Sequence, residues 1–115
     1  MRVFVYFNLH RKTWSVKALE GPNKGRVVAH RRDVLLRNVT PKVSQAGRQR
    51  VLREQCKNVH AGLIGDWHDE TFVTRGTYHE VTYNPYKYSS FVYKHNEAEF
   101  SGADVALMRD RQVMV

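Results

Sequence analysis

A single segment of this chain carries a helical period, and it is set among segments that carry the period of a strand. From Gly47 to Gly62 the sequence reads GRQRVLREQCKNVHAG. Leu52, Cys56, Val59 and, just beyond, Leu63 recur at intervals of 4, 3 and 4, which is one apolar helical face. Arg50, Arg53, Lys57 and His60 recur at 3, 4 and 3 and make a second face about 100° around the same axis. Ser44 suits the N-cap, Gly47 falls in the first turn, and Gly62 and Gly65 bracket the expected end. One principal helix among strand signals implies an α+β fold: a mostly antiparallel sheet with that helix packed on it.

The strand signals come in quick succession. Val3–Leu9 is apolar on both faces, as expected inside a sheet. In Thr13–Leu19, Trp14, Val16 and Ala18 alternate with Ser15 and Lys17. Gly21-Pro22-Asn23-Lys24-Gly25 is a turn, Arg26–His30 a third strand, and Asp33–Val43 a fourth with an irregular end at Pro41. Thr77–Tyr83 and Tyr88–Lys94 read as strands around an Asn84-Pro85 turn. His95–Gly102 is loop or ragged edge, and Ala103–Met108 and Gln112–Val115 stay open between helix end and strand. Asp66 to Glu70 is expected to lead away from the helix.

At 115 residues, the chain forms a single domain, residues 1–115, large enough to bury a core without cross-links. One cysteine, Cys56, excludes an internal disulfide and a cysteine-based zinc cluster, which suits a reducing compartment. No apolar run reaches the length of a membrane helix. The run at the N-terminus lacks a small-residue cleavage site and reads as a strand, so the expected location is the cytoplasm.

Charge is unevenly placed. The net charge is +8, but residues 1–57 hold 14 Lys and Arg against three acids, and residues 58–115 hold 5 against 8. That imbalance points to a basic face and an anionic partner, DNA or RNA first. On the helix, Glu54 is the only carboxylate between Ala46 and Leu63, so a flank of Arg48, Arg50, Arg53 and Lys57 is expected to contact phosphates with salt-sensitive affinity. From Arg50 to His60 it would run about 15 Å.

Two further constellations bear on function. His10, His30 and His60 fall near element ends; brought together beside Arg53 and Lys57, they would supply acid–base catalysis for metal-independent phosphodiester cleavage. No histidine pair has a metal-binding spacing, so neither a metal nor another cofactor is expected; His68, Asp69 and Glu70 are the nearest thing to a ligand set. The segment YHEVTYNPYKYSSFVY places Tyr78, Tyr83, Tyr86, Tyr88 and Tyr93 within 16 residues. Tyr83 and Tyr93 suit sheet packing, whereas Tyr86 and Tyr88, with Lys87 between them, suit stacking on bases or anchoring a protein. Cys56, Trp14 and Trp67 read as packing residues.

The segments NLHRK, KNVHAG and VTYNPYKY give the whole chain a style that resembles small proteins carried by bacteriophages and prophages. The resemblance implies a setting, an infected bacterial cytoplasm, and assigns no catalytic residue. It keeps two functions in view: nucleic-acid binding, with or without cleavage, and a non-enzymatic inhibitor or adaptor that docks on an acidic surface of a host protein.

Overall fold

The computed structural model describes residues 1–56, 59–67 and 79–115. Ten elements follow in order: β1 (Arg2–Asn8), β2 (Thr13–Ala18), β3 (Val27–Arg31), β4 (Asp33–Val43), α1 (Gln45–Glu54), β5 (Ala61–Trp67), β6 (Glu80–Thr82), β7 (Val92–Tyr93), β8 (Ala103–Arg109) and β9 (Gln112–Met114). The strands form one antiparallel sheet in the order β3-β2-β1-β5-β4-β8-β9-β6-β7. The α+β expectation stands, and the two C-terminal segments left open by the sequence are both strands.

Topology follows from one bend. Arg32 alone separates β3 from β4, yet β3 is the edge beside β2 while β4 lies between β5 and β8. A single bent strand therefore reaches both ends of the run β2-β1-β5, and that run must roll into a small barrel closed by chain continuity at Arg32. The Arg31 guanidinium, at the end of β3, accordingly lies 5.6 Å from the ring of Trp67 at the end of β5. Val3, Val16, Leu36, Leu63, Phe100 and Met108, each 2% exposed or less, belong to one core cluster. At about 25 cal/mol per Å² of apolar area, this burial is the principal favourable term in the fold.

Beyond β4 the sheet continues through β8, β9, β6 and β7. The two residues joining β8 to β9, Asp110 and Arg111, both have positive φ (52° and 68°), the geometry of a tight hairpin turn. This turn carries the Arg111 guanidinium to 5.1 Å from the Phe7 ring of β1, so the second half of the sheet folds back over one end of the barrel.

The irregularity in β4 lies elsewhere than Pro41. The β4–β5 register shifts between Arg37 and Thr40, where Asn38 adopts φ 53° and donates to Asp66 Oδ2 at 2.9 Å. Pro41 lies beyond the last β4–β8 pair, Val39 with Ala103, where that flank of β4 has no ladder to interrupt.

The helix is the main correction. Ser44 is its N-cap, with Oγ accepting from the Gly47 N–H at 3.2 Å. It ends at Glu54, with Gln55 in the left-handed conformation (φ 51°), and does not run on to Gly62. Gly62 and Gly65 belong to β5, which is paired with β1 on one side and β4 on the other. Those ladders satisfy backbone groups on both sides of the segment and outweigh the spacing of Leu52, Cys56, Val59 and Leu63. The buried side chain of α1 is Val51, which is not on that apolar stripe. The cationic stripe is broken likewise: Arg50 and Arg53 are helical, His60 precedes β5, and Lys57 lies outside the described residues.

Candidate functional site

Two adjoining cavities occupy the end of the barrel where β1 turns into β2. The larger, about 970 Å³, lies among the Asn8 end of β1, α1, the start of β5 and the segment from Glu80 to Phe91. Val5, Val51, Leu63 and Phe91 form apolar parts of its wall, and His10, Cys56, His60 and Tyr83 add functional groups. Leu9, Val59 and Tyr86 also line it and are 51%, 54% and 61% exposed, which makes them an apolar rim.

His60 is fixed from two sides. Its Nε2 lies 2.7 Å from Tyr83 Oη, with the two rings edge-on at 5.5 Å. Above it, Gly47 brings the first turn of α1 so close that an added Cβ would sit 2.6 Å from His60 Cβ. Burial pushes the Tyr83 phenol above its ordinary pKa, with the Arg48 charge pulling the other way. The Tyr83 phenol therefore keeps its proton near pH 7, and its ring packs at 5.2 Å against Phe91.

The smaller cavity, about 360 Å³, is formed where two chain reversals and a bend meet: the β1–β2 turn, the β8–β9 turn and the β3–β4 bend. They contribute Lys12, Arg32 and Asp110 with Arg111, around a floor of Phe7 and Trp14. Phe7, Trp14 and Arg111 are shared with the larger cavity. Lys12 and Arg32 are exposed and form no ion pair among the described residues. The Trp14 indole is only 6% exposed, and its Nε1–H has no acceptor among the described residues.

The histidines expected to act together are divided. His10 and His60 line the larger cavity, but His30 is an exposed residue of β3 whose Nδ1 lies 3.0 Å from Ser15 Oγ. Ser15 lies between Trp14 and Val16, both members of the core cluster, so by strand alternation it points to the other face of the sheet, and His30 with it.

Most cations of the expected phosphate-binding flank have other work. Arg48 Nε donates to the carbonyls of Pro85 and Tyr88 at 3.0 and 2.9 Å, and Arg50 pairs with Glu54 at 3.0 Å. Arg53 is exposed at the last helical turn, where its charge suits the helix C-terminus. Lys87 pairs with Glu97 at 2.9 Å, and the Tyr88 hydroxyl donates to the same carboxylate. Tyr86 is the exposed member of the tyrosine pair. Cys56 follows the helix cap, half-buried, with its thiol 3.8 Å from Glu54 Oε2. Tyr83 and Tyr93 pack against the core, as expected. Trp67 stacks beneath Arg31 at the end of β5, a strand rather than a helix end. His68, Asp69, Glu70 and Tyr78 fall outside the described residues.

Sequence reasoning missed Lys12, Arg32 and Arg111 as a group. The signal was present only as basic residues at the ends of elements (His10-Arg11-Lys12, Arg31-Arg32 and Arg111). Nothing linear says that these ends meet.

A family model described as Mycobacterium phage L5 gene 82 protein matches residues 1–115. The gene 82 protein of Mycobacterium phage L5 is 43% identical over 122 aligned residues, covering 98% of this chain and 94% of that protein. The chain belongs to the phage L5 gene 82 protein family. The resemblance to phage proteins is thus confirmed at the level of a family. No solved structure matches the chain. Because the family match spans the full length, both cavities lie within the region that defines this gene 82 family member. Among the described residues, no helix is long and apolar enough to cross a membrane and no cluster of histidine, cysteine or carboxylate side chains is suited to hold a metal ion.

Proposed function

We propose that this gene 82 family member binds DNA or RNA, and that the contact is made by the basic end of the barrel more than by the helix flank. One observation carries the reading: two turns and the β3–β4 bend bring Lys12, Arg32 and Arg111 around one cavity that a single carboxylate, Asp110, shares. Arg11, exposed beside His10 in the same β1–β2 turn, extends the positive surface. Cations gathered in excess of the acids beside them attract a polyanion through counterion release, which makes the affinity strongly salt-dependent.

The test is binding of labelled single- and double-stranded oligonucleotides across a series of salt concentrations. Affinity falls steeply with salt, and Arg32→Gln or Lys12→Asn each reduces the log–log slope by about 1, whereas Arg50→Gln, already paired with Glu54, changes it little. Absence of binding to every oligonucleotide at low salt refutes the reading.

A second reading rests on the exposed rim of Leu9, Val59 and Tyr86. Apolar side chains beside basic ones suit an adaptor or inhibitor that docks on an acidic protein surface. A partner retained after nuclease digestion and released by Tyr86→Ala would favour it over the first.

A further inference from the structure

We propose that the smaller cavity is a pocket for a terminal phosphomonoester of a nucleic acid strand, an inference that rests on the nucleic-acid reading and specifies what this site recognises. Charge is the first argument. Lys12, Arg32 and Arg111 against Asp110 leave a net charge of +2 on the lining. A phosphomonoester carries about −1.5 to −2 at pH 7, whereas a phosphodiester within a strand carries one negative charge.

The second argument is an orphaned donor. Indole Nε1–H can only donate, and in Trp14 it is enclosed with no acceptor among the described residues. Leaving such a group unpaired is costly, and native proteins satisfy nearly all of them. Trp14 lies in the lining of this cavity, and an oxyanion held there supplies the missing acceptor once a small shift of the ring uncovers the enclosed N–H. The three cations, being fork-shaped or flexible donors, take the remaining oxygens.

The third argument is how the site is built. Lys12 and Arg111 both occupy the left-handed region, at φ 55° and 68°, where residues other than glycine, asparagine and aspartate are uncommon. Two long cationic side chains thus stand at turn positions that better-suited residues would fill if only the turn mattered. The Arg111 guanidinium is also steadied over Phe7 at 5.1 Å, which limits the entropy lost when it takes hold of a ligand. At about 360 Å³ the pocket has room for a phosphate and part of its sugar.

The test compares one oligonucleotide sequence bearing a 5′-phosphate, a 3′-phosphate or only hydroxyl ends. Binding is followed by fluorescence anisotropy, and the Trp14 indole N–H by nuclear magnetic resonance. One phosphorylated end binds at least about tenfold tighter than the hydroxyl form, as one added charge-assisted contact implies, and shifts the Trp14 indole proton. The preference is lost in Arg32→Gln and, independently, in Lys12→Asn, whose asparagine suits the left-handed backbone; an unchanged thermal midpoint verifies that each is folded. Equal, salt-sensitive binding of all three forms overturns the pocket while leaving nucleic-acid binding intact. No binding of any form overturns both.

Discussion

Gly47 shows how much one missing methyl group decides. It lies in the first turn of α1, where alanine would ordinarily improve a helix by about 1 kcal/mol. Here the added Cβ would meet His60 Cβ at 2.6 Å, and His60 is held by Tyr83. Gly47→Ala is therefore expected to destabilise the fold by about 1–2 kcal/mol in denaturant titration and to disturb the His60–Tyr83 pair; a stabilised variant would mean that the helix can slide freely. Glu97 makes a second test at single-residue scale. The hydrogen bond from the Tyr88 hydroxyl, then the hydrogen bond and charge of Lys87, hold its carboxyl below its ordinary value near 4.5. A depressed carboxylate pKa stabilises the folded state above the unfolded value, and that contribution drains away as pH falls through the folded one. The thermal midpoints of the protein and of Glu97→Gln should accordingly differ above about pH 4.5 and converge below it. A constant difference through the acid range would show that the Tyr88–Lys87–Glu97 cluster is not what perturbs Glu97.

At the scale of elements, α1 works as a brace. Its first turn reaches across to the segment after β6: Gln45 Nε2 donates to the Ser89 carbonyl at 2.9 Å, and Arg48 Nε holds the carbonyls of Pro85 and Tyr88. Those bonds fix the Asn84–Ser89 reversal that presents Tyr86 at the rim of the larger cavity. Arg48→Ala should cost about 1–3 kcal/mol and speed amide hydrogen exchange across residues 84–89, leaving β1–β5 protected. Unaltered exchange there would assign the brace to Gln45 instead. The extent of this helix was only half legible. Ser44 announced its start through a local rule, a hydroxyl accepting from an N–H three residues on. Its end was hidden, because Val59 and Leu63 happened to fall at helical spacing from Leu52 and Cys56. The residues that follow, from Ala61 onward, gain more from two flanking strands than from another turn of helix.

For the whole molecule, the bend at Arg32 matters most. It lets one strand belong to both ends of a rolled sheet, and it places Lys12, Arg32 and Arg111 around a single cavity although they are far apart in sequence. The prediction of salt-dependent binding belongs at this scale, since it depends on the summed field of the basic pole and not on any one contact. The sequence alone determined what short-range physics determines: the alternation of Trp14, Val16 and Ala18 made β2, the Asp33–Val43 strand had its observed bounds, and Ser44 capped the helix. It singled out His10 and His60, which share a cavity, but placed His30 with them because periodicity does not tell which face of a rolled sheet looks inward. Only the tertiary structure decided that Arg48, Arg50 and Lys87 were bound to partners within the fold while Lys12 and Arg32 stayed open to solvent. Local propensity acts over a few residues, whereas the meeting of two turns and a bend depends on how a nine-stranded sheet closes on itself.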